Sequence, residues 1–408
     1  MYLFIYNLIF FILSPFLIFT GLIKSFYSTL YKKKFFDYIG ISKTSKIAST
    51  CVHCSSLGEI NGAVNLLQEI NKKANLIISV GTISGYKRAK ELFKDNNIIF
   101  LPIDLSFIIN IWLKRNNIKS LIIYETEIWP NLYKTCKNQN VKVCLVNARI
   151  SKNNLHKFFY SSLVQHALNK CDFILCKSNY EKEKFDSLNI LPKILNLGNL
   201  KYDYFERNKT VIKRNHYSKK IILFASLYKN EHKILFNVLN KIYRKGFIAV
   251  IAPRHISQAE KIYNFLTLND FNVGLYSETG DSIEDYEIII IDSFGKLKNF
   301  YNLSSLTFVG GSLTKRGVQN ILEPISFENP VIIGPNIENF HEEIMNLKND
   351  NGILYGKNIV EIENYFETAL NDIESFKKIG VNGKKSIEGF AGVTKEYIDF
   401  LTQNNLIL

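Results

Sequence analysis

Twice along this chain, short runs of branched apolar residues alternate with longer stretches whose apolar positions recur every three or four residues. In the first half the runs are Ile47–His53, Asn75–Val80, Ile98–Pro102, Ser120–Tyr124, Val141–Val146 and Asp172–Cys176, with helical patterns over Gly62–Lys73 and Ser84–Lys94. After a polar, basic interval from Glu206 to Lys220 the runs resume at Ile221–Ala225, Phe247–Ala252, Tyr286–Asp292, Leu306–Gly310 and Pro330–Gly334. Buried strands alternating with amphipathic helices predict a parallel sheet covered on both faces, and here the pattern occurs in two blocks. The 408 residues are enough for each block to bury its own core. The expected organisation is an N-terminal segment 1–35, an α/β domain 36–205, a linker 206–218 and a second α/β domain 219–408. Two such domains facing each other would form a cleft at the carboxyl ends of their strands, where ligands bind in folds of this class.

Met1 to Ile23 carry no charged side chain. As a helix that stretch is about 34 Å long, against roughly 30 Å for a bilayer core. The cations Lys24, Lys32, Lys33 and Lys34 come after the apolar run, the reverse of a secretory signal. This order predicts a membrane anchor with the remaining chain in the cytoplasm, and Lys32 to Lys34 facing anionic lipid. Asn7 and Pro15 leave open a helix that lies in the interface rather than across it. The whole chain has 51 Lys+Arg against 37 Asp+Glu, a net charge of +14, which calls for an anionic partner. An apolar fraction of 47% excludes a disordered tail protein.

Six cysteines in a chain of this length do not make a secreted disulfide framework. Cys51-Val-His-Cys54 has CxxC spacing, but Cys51 ends a strand-like run and no second ligand pair accompanies it. Buried reduced thiols are expected.

Several polar groups follow predicted strands directly. Glu59, in Ser55-Ser-Leu-Gly-Glu59, is a candidate general base, although a helix-starting Glu that only favours the helix dipole is the structural alternative. Glu125 and Glu127 in Glu125-Thr-Glu-Ile-Trp-Pro130 are two carboxylates at a strand end, suited to an active site, or else to an ion pair with Arg149. Lys201 lies in Gly198-Asn-Leu-Lys-Tyr-Asp203. In the second block Pro253-Arg254-His255 suits a phosphate clamp, and Asp292-Ser-Phe-Gly-Lys296 offers backbone amides before a helix. Phe308-Val-Gly-Gly-Ser312 and Asn320-Ile-Leu-Glu-Pro324 follow, and Glu323 is placed to take a ribose hydroxyl pair. There is no Walker A loop, no GxGxxG opening and no metal-ligand spacing, which argues against an ATPase, a dehydrogenase and a metalloenzyme. No nucleic-acid module is present.

These stretches, in this order and over nearly the whole chain, resemble the lipid A Kdo (3-deoxy-D-manno-octulosonic acid) transferases. The Glu-Thr-Glu-Ile-Trp-Pro and Phe-Val-Gly-Gly-Ser-Leu stretches are highly specific as a pair. The resemblance implies a GT-B fold of two facing Rossmann-like domains with an N-terminal membrane-anchor helix. It implies an inverting, metal-independent glycosyltransferase without a cofactor, moving Kdo from CMP-Kdo to a lipid A precursor (lipid IVA) at the cytoplasmic face of the inner membrane. Carried over by motif, Glu59 is the general base, and Glu125 or Glu127 with Lys201 supports the transition state. Pro253, Arg254, Phe294, Gly295, Lys296, Asn320, Ile321, Leu322 and Glu323 hold CMP. The chain departs from the family pattern at Gly317-Val-Gln-Asn320, where Gln319 replaces a histidine, and at Gly295-Lys-Leu297, where Lys296 replaces an acid. A GT-B transferase using another nucleotide sugar or acceptor is the rival enzyme reading. Nucleic acid is not an expected partner.

Overall fold

The computed structural model describes residues 2–42, 47–150, 158–203 and 217–407, the side chains of 158–160 excepted. Most of the expected linker (206–216) and Ser151 lie outside the described residues. The chain divides into two compact units, Met1–Tyr204 with Gly392–Leu408, and Phe205–Ala391.

The first unit is built on seven parallel strands: β1 (Ser49–His53), β2 (Leu76–Val80), β3 (Asn97–Phe100), β4 (Ile118–Tyr124), β5 (Lys142–Ala148), β6 (Phe173–Cys176) and β7 (Lys193–Asn196), in the order β3-β2-β1-β4-β5-β6-β7. The order reverses between β1 and β4, the place where doubly wound sheets open a crevice at their carboxyl ends. Alternate residues of β4 serve the two faces: Leu121 and Ile123 pack into one core, Ile122 and Tyr124 into the other. All six cysteines are free and buried, and burial pushes their thiols up, so they are inert packing groups.

The second unit repeats the scheme with β8 (Ile221–Leu227), β9 (Ile248–Pro253), β10 (Val273–Leu275), β11 (Ile288–Ile290), β12 (Ser304–Val309), β13 (Val331–Ile333) and β14 (Leu354–Tyr355), in the order β10-β11-β9-β8-β12-β13-β14. Its reversal lies between β8 and β12. The predicted strands match observed ones to within about two residues at most ends, as boundary definitions allow. The sequence pattern missed β7, β10 and β14, which are short and lack a continuous apolar run.

One boundary needs correcting. The last helix, Val393–Gln403, was expected within the second domain (219–408) but belongs to the first unit. Val393, Tyr397, Ile398 and Leu401 complete the core on the Tyr124 side of the first sheet. Asp203 fastens it there, its two carboxylate oxygens accepting the Gly392 N–H at 2.6 Å and the Thr394 N–H at 2.5 Å. These bonds satisfy donors that a helix start leaves unpaired.

At the N-terminus, α1 (Tyr2–Ser25) and α2 (Thr29–Tyr38) form a helical hairpin. The expectation that Lys32, Lys33 and Lys34 all face lipid is revised. Lys33 lies 3.5 Å from the buried Asp37, and Lys34 donates to the Gly81 carbonyl at 3.4 Å, while Lys24 and Lys32 remain exposed.

Candidate active site

The two strands flanking the reversal in the first sheet deliver the principal acids. After β1 the chain enters α3 (Leu57–Lys73) through Ser56, whose hydroxyl accepts the Glu59 N–H at 3.4 Å and donates to Glu59 Oε1 at 3.0 Å. The Ser55 N–H donates to Glu59 Oε2 at 2.7 Å. Ser56 thus caps the helix and Glu59 reaches back to the residue before the cap, a variant of the capping box that explains locally why the helix starts here. The same carboxylate lines a cavity of about 200 Å³ together with Tyr124, Glu125, Thr126, Glu127 and Arg149. Burial first, and then the charge of Glu125, raises the Glu59 pKa above its ordinary value; these outweigh the opposing His53 charge and the two hydrogen bonds.

Glu125 follows β4 with φ +60°, an uncommon left-handed conformation for a glutamate, and its N–H stays tied to the Val146 carbonyl at 2.8 Å. Its side chain turns inward and the residue is 8% exposed. Lys201 donates to Oε1 at 3.0 Å, and Arg149 donates to Oε2 from Nε at 2.8 Å and lies 2.7 Å from it through its terminal nitrogen. Burial alone would raise this carboxyl. The charges of Lys201 and Arg149 outweigh it and hold the pKa at about 2. The ion pair with Arg149 considered from sequence is thus present, and Lys201 joins it.

Glu127 has different surroundings. It accepts from Trp129 Nε1 at 2.8 Å and its Oε2 lies 3.8 Å from His53 Nε2, while its carbonyl accepts from Tyr133 at 2.6 Å. Burial would raise its pKa, but His53, Trp129 and Ser55 together lower it. The two acids of the Glu-Thr-Glu stretch therefore separate: Glu125 meets two cations, and Glu127 braces the tryptophan turn.

In the second unit the remaining site residues sit on loops after separate strands. Pro253 ends β9, and Arg254 is exposed just beyond it, its N–H held by the Leu227 carbonyl at 2.8 Å. Beyond β11, Phe294 is 90% exposed, Gly295 has φ +80°, and Lys296 precedes the Leu297–Leu303 helix. After β12, Asn320 accepts the Leu322 N–H at 3.3 Å, Ile321 and Leu322 are buried, and Glu323 lies in the first turn of the short helix Leu322–Ser326. Burial raises Glu323 to about 6, with the Lys298 charge opposing. Gln319, the departure noted above, donates to the Gly317 carbonyl at 3.2 Å and so braces its own loop.

A family model described as 3-deoxy-D-manno-octulosonic-acid transferase (kdotransferase) matches residues 31–204. A 3-deoxy-D-manno-octulosonic acid transferase of Haemophilus influenzae is 27% identical over 365 residues, 86% of either chain. The two findings together support the Kdo transferase family. A bifunctional glycosyltransferase/methyltransferase of Fusobacterium nucleatum is 31% identical over 348 residues; these are 80% of this chain but 53% of that protein, so the chain spans about half of that relative. A glycosyltransferase structure from Rickettsia africae aligns over 88% of this chain and 99% of its own, at a TM-score of 0.60 and 16% identity. That likeness concerns the fold, which is of the GT-B type, as expected for a family of glycosyltransferases.

Four residues that shape the two sites had no role assigned from sequence. An added Cβ on Gly62, one turn after Glu59, would lie 2.5 Å from the Tyr124 hydroxyl and 3.2 Å from Lys201 Cε; the missing side chain lets Lys201 cross α3 to reach Glu125. A glycine inside a helical pattern was the available signal. Asn147, at φ +52°, accepts the Leu200 N–H at 3.0 Å through its side chain, donates to the Tyr124 hydroxyl at 3.1 Å, and donates its own backbone N–H to the Tyr397 hydroxyl at 3.2 Å. It thus positions the turn that carries Lys201. His53 sits beside Glu127. Glu231, fully buried, accepts the N–H groups of Tyr228 and Gly311 at 2.7 Å and of Leu313 at 3.0 Å, clasping the loops after β8 and β12 where the second sheet reverses. Burial raises its carboxyl pKa and those three donors oppose the rise. From sequence it was indistinguishable from any helix-starting glutamate.

Proposed function

We propose that the protein transfers Kdo from CMP-Kdo to a hydroxyl of a lipid A precursor, without a metal and with inversion, at the cytoplasmic side of the inner membrane. The observation that carries this reading is one cavity holding a half-buried acid of raised pKa, Glu59, next to a second acid, Glu125, already neutralised by Lys201 and Arg149. A general base must be basic and free to take a proton, and Glu59 meets both conditions. The acceptor oxygen forms its bond to the anomeric carbon as the bond from that carbon to the CMP phosphate breaks. The leaving electron pair goes to the phosphate and the acceptor proton to Glu59. Attack opposite the leaving group inverts the centre, through oxocarbenium character of the kind seen at other glycosidic carbons.

Lys201 and Arg149 together exceed the single charge of Glu125, which suits them to the carboxylate of an acid sugar. Arg254, with its fork of donors, suits the departing phosphate. Phe294 to Lys296 and Asn320 to Glu323 would complete the nucleotide site, with Glu323 on the ribose hydroxyls. The apolar α1 and the cations near it support a membrane location, and a phosphorylated lipid acceptor accords with the +14 charge.

The test is a donor screen with purified protein and one lipid acceptor. CMP-Kdo should give a product heavier by the Kdo mass, and UDP-sugars should not. Turnover with a UDP-sugar alone would transfer the assignment to another GT-B reaction.

A further inference from the structure

Helix α1 was read from sequence as a membrane anchor, with a helix lying in the interface left open, and in the structure it is in contact with the first unit near both of its ends. Leu3, Asn7, Phe10, Ser14, Ile18 and Gly21, spaced three or four apart, are partly or fully buried. Both ends are fastened. Near the start, the Tyr6 hydroxyl donates to Asp104 Oδ2 at 2.8 Å, and Asn131 Nδ2 donates to Asn7 Oδ1 at 2.7 Å. Asp104 is 3% exposed and also accepts the N–H groups of Asn131 at 3.0 Å and Leu132 at 2.8 Å, so the contact is to a built part of the unit. At the far end Gly21 packs on Phe35 of α2, and α2 is held through Asp37, which accepts the Phe100 N–H at 2.9 Å. A helix of this length, about 36 Å, cannot stand across a bilayer while both of its ends are fixed to the same domain.

Its opposite face is apolar and bare: Phe4, Phe11, Ile12 and Phe16 are each exposed by 65% or more. Phe107 and Ile111, one turn apart on the Ser106–Arg115 helix that begins just after Asp104, are also exposed. Exposed cations accompany both helices, Lys24 and Lys32 on one side, Lys114 and Arg115 on the other. An apolar strip of this extent requires a cover. The cations favour one with negative charge.

We propose that α1 lies in the plane of a membrane, its outer face sunk into one leaflet beside Phe107 and Ile111, with the flanking cations on anionic headgroups. This rests on the membrane part of the proposed function and is independent of the donor.

The test places single cysteines at Ile5, Ile12 and Phe19, all on the outer face; the six native thiols are buried. The full chain is spin-labelled and bound to vesicles of phosphatidylethanolamine and phosphatidylglycerol, and label depth is measured by power saturation. An in-plane helix puts the three labels at depths that agree within about one helical turn. A spanning helix separates the first from the last by about 21 Å, and that gradient would overturn the in-plane seat while leaving membrane binding intact. A chain that stays off the vesicles, or that buries the labels in a soluble dimer, overturns the membrane occupant itself. As a second arm, Phe107→Asp with Ile111→Asp should weaken vesicle binding at least about tenfold with an unchanged circular dichroism spectrum, as lost apolar insertion implies. Unchanged binding would remove those two residues from the leaflet face.

Discussion

Glu59→Gln removes a proton acceptor and almost no volume, so its two effects can be worked out separately. In the structure Oε2 accepts the Ser55 N–H and Oε1 accepts the Ser56 hydroxyl. Glutamine keeps one acceptor and sets an amide against the other donor, which costs about 0.5–1.5 kcal/mol for one lost hydrogen bond. Removing a partly desolvated charge next to Glu125 offsets part of that cost. The Ser56 cap on the Glu59 N–H survives. For units of this size the melting temperature should move by no more than roughly 2–5 °C. Catalysis is affected far more, because loss of a general base typically costs 10²–10⁴-fold, or about 3–5 kcal/mol of barrier. The assay follows product mass from CMP-Kdo and a lipid A precursor, with donor affinity measured by calorimetry and folding by thermal melting. The expected result is retained donor binding, a small shift in melting and turnover lower by at least about 100-fold. A folded variant turning over within about threefold of the parent would refute the assignment of Glu59 as base.

Glu125→Gln should be the more destabilising change, because it leaves Lys201 and Arg149 facing each other without their shared counter-charge. Breaking a buried pair costs about 3–5 kcal/mol, and the 41% exposure of the Arg149 side chain reduces that to roughly 1–3 kcal/mol in urea titration. The sign with pH follows from the depressed pKa: the Glu125 contribution is complete above its unfolded value near 4.5 and is lost as pH falls towards about 2, so acid unfolding of the variant should lack that component. Gly62→Ala gains up to about 1 kcal/mol of helix propensity but drives a methyl into the Tyr124 hydroxyl and Lys201 Cε; kcat should fall and the donor KM should rise, and unaltered kinetics would show that Lys201 needs no such passage. Glu231→Gln should loosen the loops after β8 and β12, raising the donor KM more than it lowers kcat, and an unchanged KM would separate those loops from the donor.

The periodicity of the chain made the layered fold legible, since a strand buried on both faces must read as a continuous apolar run. Short strands such as Leu354–Tyr355 have too few residues to carry that pattern. The last helix was misplaced for a different reason. Nothing in Val393–Gln403 says which sheet it covers, because the information lies in Asp203, about 190 residues earlier in sequence and joined to it by two hydrogen bonds. At the candidate site, residues at strand ends stood out in the sequence because strand ends are where the chain turns towards ligand. Gly62, Asn147 and Glu231 act through contacts with distant residues. Their chemistry is invisible until Tyr124, Lys201 and the Gly311 loop are brought beside them. The likeness of Glu125 and Glu127 in sequence also concealed their different partners.

The proposal that Glu59 rather than Glu125 takes the proton can be argued from the pocket itself. Paired titratable groups whose environments drive their pKa values apart divide the work of a site between them. Glu125, at about 2, is a weak base, and both of its oxygens already bind cations. To accept a proton it would have to give up both cations within a buried site. Glu59 is raised by burial and then by the charge of Glu125, so the ionised Glu125 makes its neighbour the better base. Lys201 and Arg149 offset the Glu125 charge, so that Glu59 and Glu125 can both be ionised in one pocket. The raised pKa also sets the direction with pH: turnover should climb as pH rises through the Glu59 value, because only the ionised form is a base. On the proposed reading, then, Lys201 and Arg149 hold Glu125 ionised, and Glu125 makes Glu59 the stronger base of the two.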